Sequence, residues 1–242
     1  MTGLRPQALE AHIPRAVPVG AGLVFLSLAL FVVFTDPSPW RDEIRAFAIT
    51  ELRGDLDHAV LRLSQTTAPL GVLATAAILA LLVALRSVSR AVFFGLAVAS
   101  AGALTASARL VFDEPRPFFE PLGPSLGSSF PSGHAATWTA IVTGLALVVS
   151  ARWARHTVLF GGTVLVLTIG ASRVYLGAHH PEDVLGGSAL AIACVGALSA
   201  LWNRATRQPE GQTQRLPADA PRPRAARRRG GRDCGKSGSV FF

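Results

Sequence analysis

Long apolar runs separated by short polar stretches organise this chain. Residues 17–34 form the first run, and others follow at about 69–85, 91–112, 135–151, 157–176 and 184–202. A helix rises about 1.5 Å per residue, so about 20 apolar residues cross the hydrocarbon of a bilayer. The six runs therefore predict an all-α fold, an integral membrane six-helix bundle. Several runs are rich in Gly, Ala, Ser and Thr, which lets helices approach closely within a membrane. Basic residues before the first run also fit a cleavable signal peptide. However, Phe31 and Phe34 lead into Asp36-Pro37 rather than a small-residue cleavage site, so a retained helix is expected.

The polar stretches divide the chain further. Residues 1–15 read as a disordered N-terminal lead, 16–203 as the membrane domain and 204–242 as a disordered basic tail rich in Pro, Gly, Arg and Gln. In the connector 36–68, Leu56, Ala59, Val60 and Leu63 recur at helical spacing, with Asp57, His58 and Arg62 opposite. That pattern predicts an amphipathic helix, lying on the membrane surface or packed on the bundle. His58 is expected in solvent.

Composition agrees with a membrane setting. Half of the 242 residues are hydrophobic and 16% are charged, too apolar for an ordinary soluble domain. Residues 203–242 hold nine arginines and Lys236 against three acids, which accounts for seven of the net eight positive charges. The basic balance is thus a property of the tail. It fits anionic lipid headgroups or plain solvation, and no nucleic-acid partner is expected. Arginines also cluster in the lead, after the second run, after the fourth run and in the tail. A six-helix topology puts all four segments on one side. The positive-inside rule makes that side cytoplasmic, with both termini there. Cys194 lies in an apolar run and Cys234 in the tail, so no disulfide framework is expected.

Three polar clusters fall at the opposite, extracytoplasmic side. Arg109 ends the third run, and Arg116 stands between two prolines that hold the chain extended. Their planar guanidiniums suit phosphate oxygens; alone they equally fit a snorkelling Arg109 and an Arg116 paired with Asp113 or Glu114. Ser129-Phe130-Pro131-Ser132-Gly133-His134 precedes the fourth run. Ser132 is placed to cap a helix whose N-terminus is an anion site, with Gly133 allowing close approach and His134 projecting nearby. A plain cap with an interfacial histidine is the other reading. The third cluster is Ser172-Arg173 followed by His179-His180-Pro181-Glu182-Asp183. Gly177 should break the fifth helix and Pro181 start the sixth. Asp183, four residues after His179, can meet it if helix begins early. A carboxylate on one imidazole nitrogen leaves the other free as a nucleophile. His180 is expected to be structural, and Glu182 a solvated first-turn acid.

These clusters, in this order, resemble the type 2 phosphatidic acid phosphatase superfamily. Its pattern is Lys, six residues, Arg-Pro; then Pro-Ser-Gly-His; then Ser-Arg, five residues, His, three residues, Asp. The second and third blocks are complete here, at 131–134 and at Ser172, Arg173, His179 and Asp183. In the first, Arg116-Pro117 is intact and Arg109 stands where the family usually has lysine. The chain has one lysine among 23 basic residues, so composition alone can account for the exchange.

The resemblance implies a lipid phosphate phosphatase. His179 resembles the nucleophile that forms a phosphohistidine, Asp183 its orienting carboxylate and His134 the general acid. Arg109, Arg116, Arg173, Ser132 and the Gly133 amide would hold phosphate oxygens. No His/Cys/Asp/Glu set has convincing metal-ligand spacing, so no metal and no cofactor are expected. The implied substrate is a lipid phosphate or polyprenyl diphosphate in the bilayer. A phospho-headgroup transferase using the same site, and a non-catalytic phosphate-binding membrane protein, are the alternatives.

Overall fold

The computed structural model describes residues 7–35, 41, 43, 57–67, 69–114, 116 and 127–206. Leu56, Pro117 and residues 207–242 of the expected disordered tail lie outside the described residues, while 204–206 of that tail are helical, continuing the last helix. Those described form seven α-helices: α1 (Ala16–Phe34), α2 (Asp57–Thr66), α3 (Pro69–Ala84), α4 (Val88–Phe112), α5 (Gly133–Val148), α6 (Arg152–Tyr175) and α7 (Pro181–Thr206). A helix occupies each of the six apolar runs, and α2 is the amphipathic segment of the connector.

Among the described residues four helices, α1, α4, α6 and α7, are long and apolar enough to cross a membrane, and α2 and α3, bent by 53° to each other, would add a fifth only if taken as one span. The shorter α5 has 16 residues, ten of them buried, and it packs against α3, α4, α6 and α7. A central helix surrounded by others needs no lipid-facing surface of its own. Several helices run past their apolar runs into polar flanks. Thus α6 starts at Arg152, and Ser87 caps α4 by accepting the Arg90 amide at 3.3 Å. Hydropathy marks membrane depth, whereas helix ends are set by capping groups.

Burial is sorted by size. Ala97, Ala101, Ala136, Ala140 and Ala191 are buried between helices, while Leu23, Leu26, Leu30, Leu73, Leu81, Phe160 and Leu167 point outward. Small residues let the backbones approach, and the large apolar side chains are left to face lipid. Phe93 and Phe94 fill the centre, with Trp202 edge-on to Phe93 at 5.5 Å. A second aromatic cluster, Phe25, Phe112 and Phe130, closes the bundle toward its other end.

The connectors separate cleanly between the two ends. At one end Glu10 accepts from Ser150 at 3.1 Å, pairs with Arg90, and its carbonyl accepts from Arg155 at 3.0 Å. The Leu9 amide meets Asn203 at 3.5 Å, and Trp202 donates to the Gln7 carbonyl at 3.0 Å. The described parts of the four arginine-bearing segments therefore share one end. This corrects the expected disordered lead for its described part, residues 7–15. A chain crossing helix ends finds unpaired backbone and arginine groups there, and it is held by them. The amphipathic α2 packs at the opposite end, against α6 and α3, where Asp57 accepts the Tyr175 hydroxyl at 2.5 Å. His58 is exposed, as expected.

Candidate active site

That opposite end brings together all three polar clusters. α6 stops at Tyr175, Gly177 takes φ +65° in the left-handed region, and α7 starts at Pro181. Within the turn, the amides of Ala178 and His179 both donate to the Arg173 carbonyl, at 3.0 and 3.3 Å. Asp183 lies in the first turn of α7, and its Oδ2 accepts the His180 amide at 2.8 Å. An acid here satisfies an otherwise unpaired N–H at the helix entrance. The same Oδ2 lies 3.4 Å from Nδ1 of His179. His179 is 2% exposed and Asp183 fully buried. The sequence required an early helix start for these two to meet. Instead they meet across the cap, and His180 contributes its backbone amide to the same carboxylate. Burial, reinforced by Arg116, Arg173 and Arg109, holds His179 well below the usual imidazole range, so its ring is neutral.

The N-terminus of α5 faces this turn. Ser132 occupies the capping position, but its side chain makes no capping bond; its Oγ is buried without a partner among the described residues. The Ser132 amide instead donates to the Asp183 carbonyl at 2.9 Å, tying the entrance of α5 to that of α7. A Cβ on Gly187 would lie 2.4 Å from the Ser132 carbonyl oxygen, so glycine is what lets α7 come this close. A Cβ on Gly133 would stand 3.2 Å from the Arg109 guanidinium, which therefore lies across the first residue of α5. Nε2 of His134, in the first turn, is buried with no partner among the described residues.

Three arginines lie near His179. Arg109, in the last turn of α4, donates from Nε to the Pro131 carbonyl at 2.9 Å. Arg116 donates to the carbonyls of Gly127 at 2.9 Å and Ala178 at 3.1 Å, so the extended first cluster spans to the residue before His179. Burial draws Arg116 below its ordinary value, and Asp183 opposes the shift. Arg173, at the end of α6, bonds Ser64 of α2, and its Nε is buried without a partner among the described residues. All three lie near enough to His179 to act on its ionisation. The eight residues singled out in the sequence thus gather at one end of the bundle. Among the described residues, no group of three or more His, Cys, Asp or Glu side chains is arranged to hold a metal ion.

Two features differ from the sequence reading. Glu182 is not a solvated first-turn acid: it is 3% exposed and accepts from Nε of Arg41 at 2.5 Å. Arg41 also reaches Glu114, from Nη1 at 3.2 Å. Burial pushes the Glu114 carboxyl up, and Arg41 works against the rise. The reason is long-range packing, since the connector after α1 lays Arg41 over the first turn of α7. Second, Arg116 donates to the Gly127 and Ala178 carbonyls, while Glu114 goes to Arg41. Sequence reasoning missed Arg41 because nothing near residue 41 distinguishes it from the other charged residues of the connector.

A family model described as the PAP2 superfamily matches residues 90–207. Phosphatidylglycerophosphatase B of Bacillus subtilis is 36% identical over 83 residues, which are 32% of this chain and 40% of that one. Lipid A 1-phosphatase of Rhizobium johnstonii is 39% identical over 67 residues, 28% of this chain and 25% of that one. The match thus spans less than half of either relative's length. Among solved structures, the transmembrane PAP2-type phosphatidylglycerolphosphate phosphatase of Bacillus subtilis aligns with a TM-score of 0.69 over 80% of this chain and 98% of that chain. Identity there is 23%, so this likeness is one of fold.

Proposed function

Because residues 90–207 place this chain in the PAP2 superfamily, we propose that it is a membrane lipid phosphatase hydrolysing a lipid phosphate monoester or a polyprenyl diphosphate. The observation that carries this reading is the buried His179–Asp183 pair, 3.4 Å apart, inside a ring of Arg109, Arg116 and Arg173. The names of the relatives, both phosphatases of lipid phosphates, point the same way.

The chemistry follows from the charges. A phosphoryl group in transfer spreads negative charge over its equatorial oxygens, and preorganised donors stabilise it. Three guanidiniums, the free Ser132 Oγ and the Gly133 amide at the N-terminus of α5 supply those donors. Asp183 holds Nδ1 of His179, so Nε2 attacks phosphorus while the bond to the lipid oxygen breaks. The leaving alkoxide takes its proton from Nε2 of His134. Water then gives a proton to Nε2 of His134 as its oxygen adds to phosphorus, the P–N bond breaks with its electron pair returning to Nε2 of His179, and phosphate departs with His179 neutral and His134 protonated again. No step needs a metal ion.

Placement suits a lipid headgroup. α1 and α3 to α7 make the six crossings of this proposal, α5 being the enclosed one. The arginine-bearing end is cytoplasmic by the positive-inside rule, so the pocket opens at the extracytoplasmic interface. There a headgroup reaches the arginines while its acyl or prenyl chain stays in the bilayer.

Phosphate release by purified protein across prenyl and glycerolipid phosphates, with His179→Ala as control, tests this function. Release by the wild type and not by the variant is expected. An inactive wild type on the whole panel favours a phosphate-binding role, and equal activity of the variant removes His179 from the chemistry. Release without an acceptor alcohol distinguishes hydrolysis from headgroup transfer.

A further inference from the structure

Arg41 stands outside all three motif clusters, yet it braces two of them. Arg41 is 6% exposed, and its guanidinium holds Glu182 at 2.5 Å and Glu114 at 3.2 Å. Glu182 is the immediate neighbour of Asp183 in the first turn of α7. Glu114 is tied by its backbone to the second cluster: its amide donates to Ser128 Oγ at 3.1 Å, and its carbonyl accepts from the Ser129 amide at 2.8 Å. Two carboxylates are thus built into the wall of a pocket meant for an anion, and one guanidinium covers both.

The charge count shows what this cation does. Arg41, Arg109, Arg116 and Arg173 face Glu114, Glu182 and Asp183, so the wall carries one net positive charge. Without Arg41 it carries none, and two poorly solvated carboxylates oppose the incoming phosphate. Charges within several ångströms of each other are weakly screened in such surroundings. Leaving a buried charge without its partner is the costly outcome.

We propose that Arg41 is a positioning residue of the phosphate pocket, which neutralises Glu114 and Glu182 so that a phosphate dianion can bind beside His179. This rests on the phosphatase reading. Arg41 touches no reacting atom in this scheme. It acts through the two acids, so its loss weakens phosphate binding more than it slows the chemical step.

The test compares wild type, Arg41→Gln, Arg41→Lys and the neutral triple variant Arg41→Gln/Glu114→Gln/Glu182→Gln, with His179→Ala as control. Binding of inorganic phosphate is measured by calorimetry, and kcat and KM by phosphate release from a lipid phosphate. Arg41→Gln should weaken phosphate binding and raise KM by about tenfold, with kcat changed by less than about threefold. Arg41→Lys should fall between it and the wild type. The triple variant, lacking every group of the cluster's ion pairs, should bind phosphate at least as tightly as the wild type. A purely structural Arg41 would make it the worst of the set. If Arg41→Gln fails to fold, the triple variant decides: weak phosphate binding by a folded triple variant overturns the proposal. So does an Arg41→Gln protein equal to a wild type that His179→Ala inactivates, in which case the phosphatase reading stands. A wild type that neither binds nor releases phosphate overturns both.

Discussion

Oδ2 of Asp183 stands 3.4 Å from Nδ1 of His179 and at the same time accepts the His180 amide at 2.8 Å. One carboxylate oxygen therefore anchors the entrance of α7 and lies beside the imidazole that the proposed mechanism has it orient. Asp183→Asn keeps an oxygen for the His180 amide but loses the charge that fixes the ring tautomer. We expect about 10³–10⁴-fold lower kcat, as for other carboxylates that orient a catalytic imidazole, with the fold retained. Steady-state kinetics beside a thermal melt checks both halves; a loss under tenfold would remove Asp183 from the orienting role.

Protonation of His179 should destabilise the fold. Its folded value lies well below 6.5 because of burial and the three arginines, whereas the unfolded chain binds a proton near 6.5. The unfolded state therefore binds more protons in that interval, and stability falls as pH drops from about 6.5 toward the folded value. Above it the contribution is fully present. Thermal melts in detergent should show His179→Gln losing less stability than the wild type over this acid range. Parallel curves would contradict a buried, neutral His179.

Arg109 uses two features that lysine lacks. Its Nε donates to the Pro131 carbonyl at 2.9 Å, and its planar end lies over Gly133. Arg109→Lys keeps the charge but cannot make both contacts. The expected result is about 10–100-fold lower kcat/KM, equivalent to about 1.4–2.7 kcal/mol of lost transition-state stabilisation. Activity equal to the wild type would mean that charge alone matters at this position.

In the proposed mechanism guanidiniums and a helix N-terminus meet the phosphate charge, so the rate should be unchanged in excess EDTA. Phosphate release from protein dialysed against the chelator measures this. Loss of activity, restored by a divalent cation, would contradict the mechanism.

Much of the site was legible because its parts are local. Gly177 and Pro181 mark the turn, and Ser132-Gly133-His134 marks the start of α5, within a few residues each. The apolar runs gave the helices for the same reason. What escaped depends on distance in the chain. Arg41 meets Glu182 across 141 positions, and no local pattern at either residue shows the pairing. Glu182 looked solvated because the first turn of a helix is usually exposed, yet here Arg41 covers it. The Ser132 side chain shows a subtler limit. Its position as a cap is readable, but that its hydroxyl makes no capping bond is not.

The central claim is a covalent bond between phosphorus and the imidazole of His179. Wild-type protein turning over a lipid phosphate can be quenched in denaturant at alkaline pH, digested and analysed by mass spectrometry. Phosphate on the peptide containing His179, absent from His179→Ala, is the predicted result. Phosphate on any other side chain would contradict it.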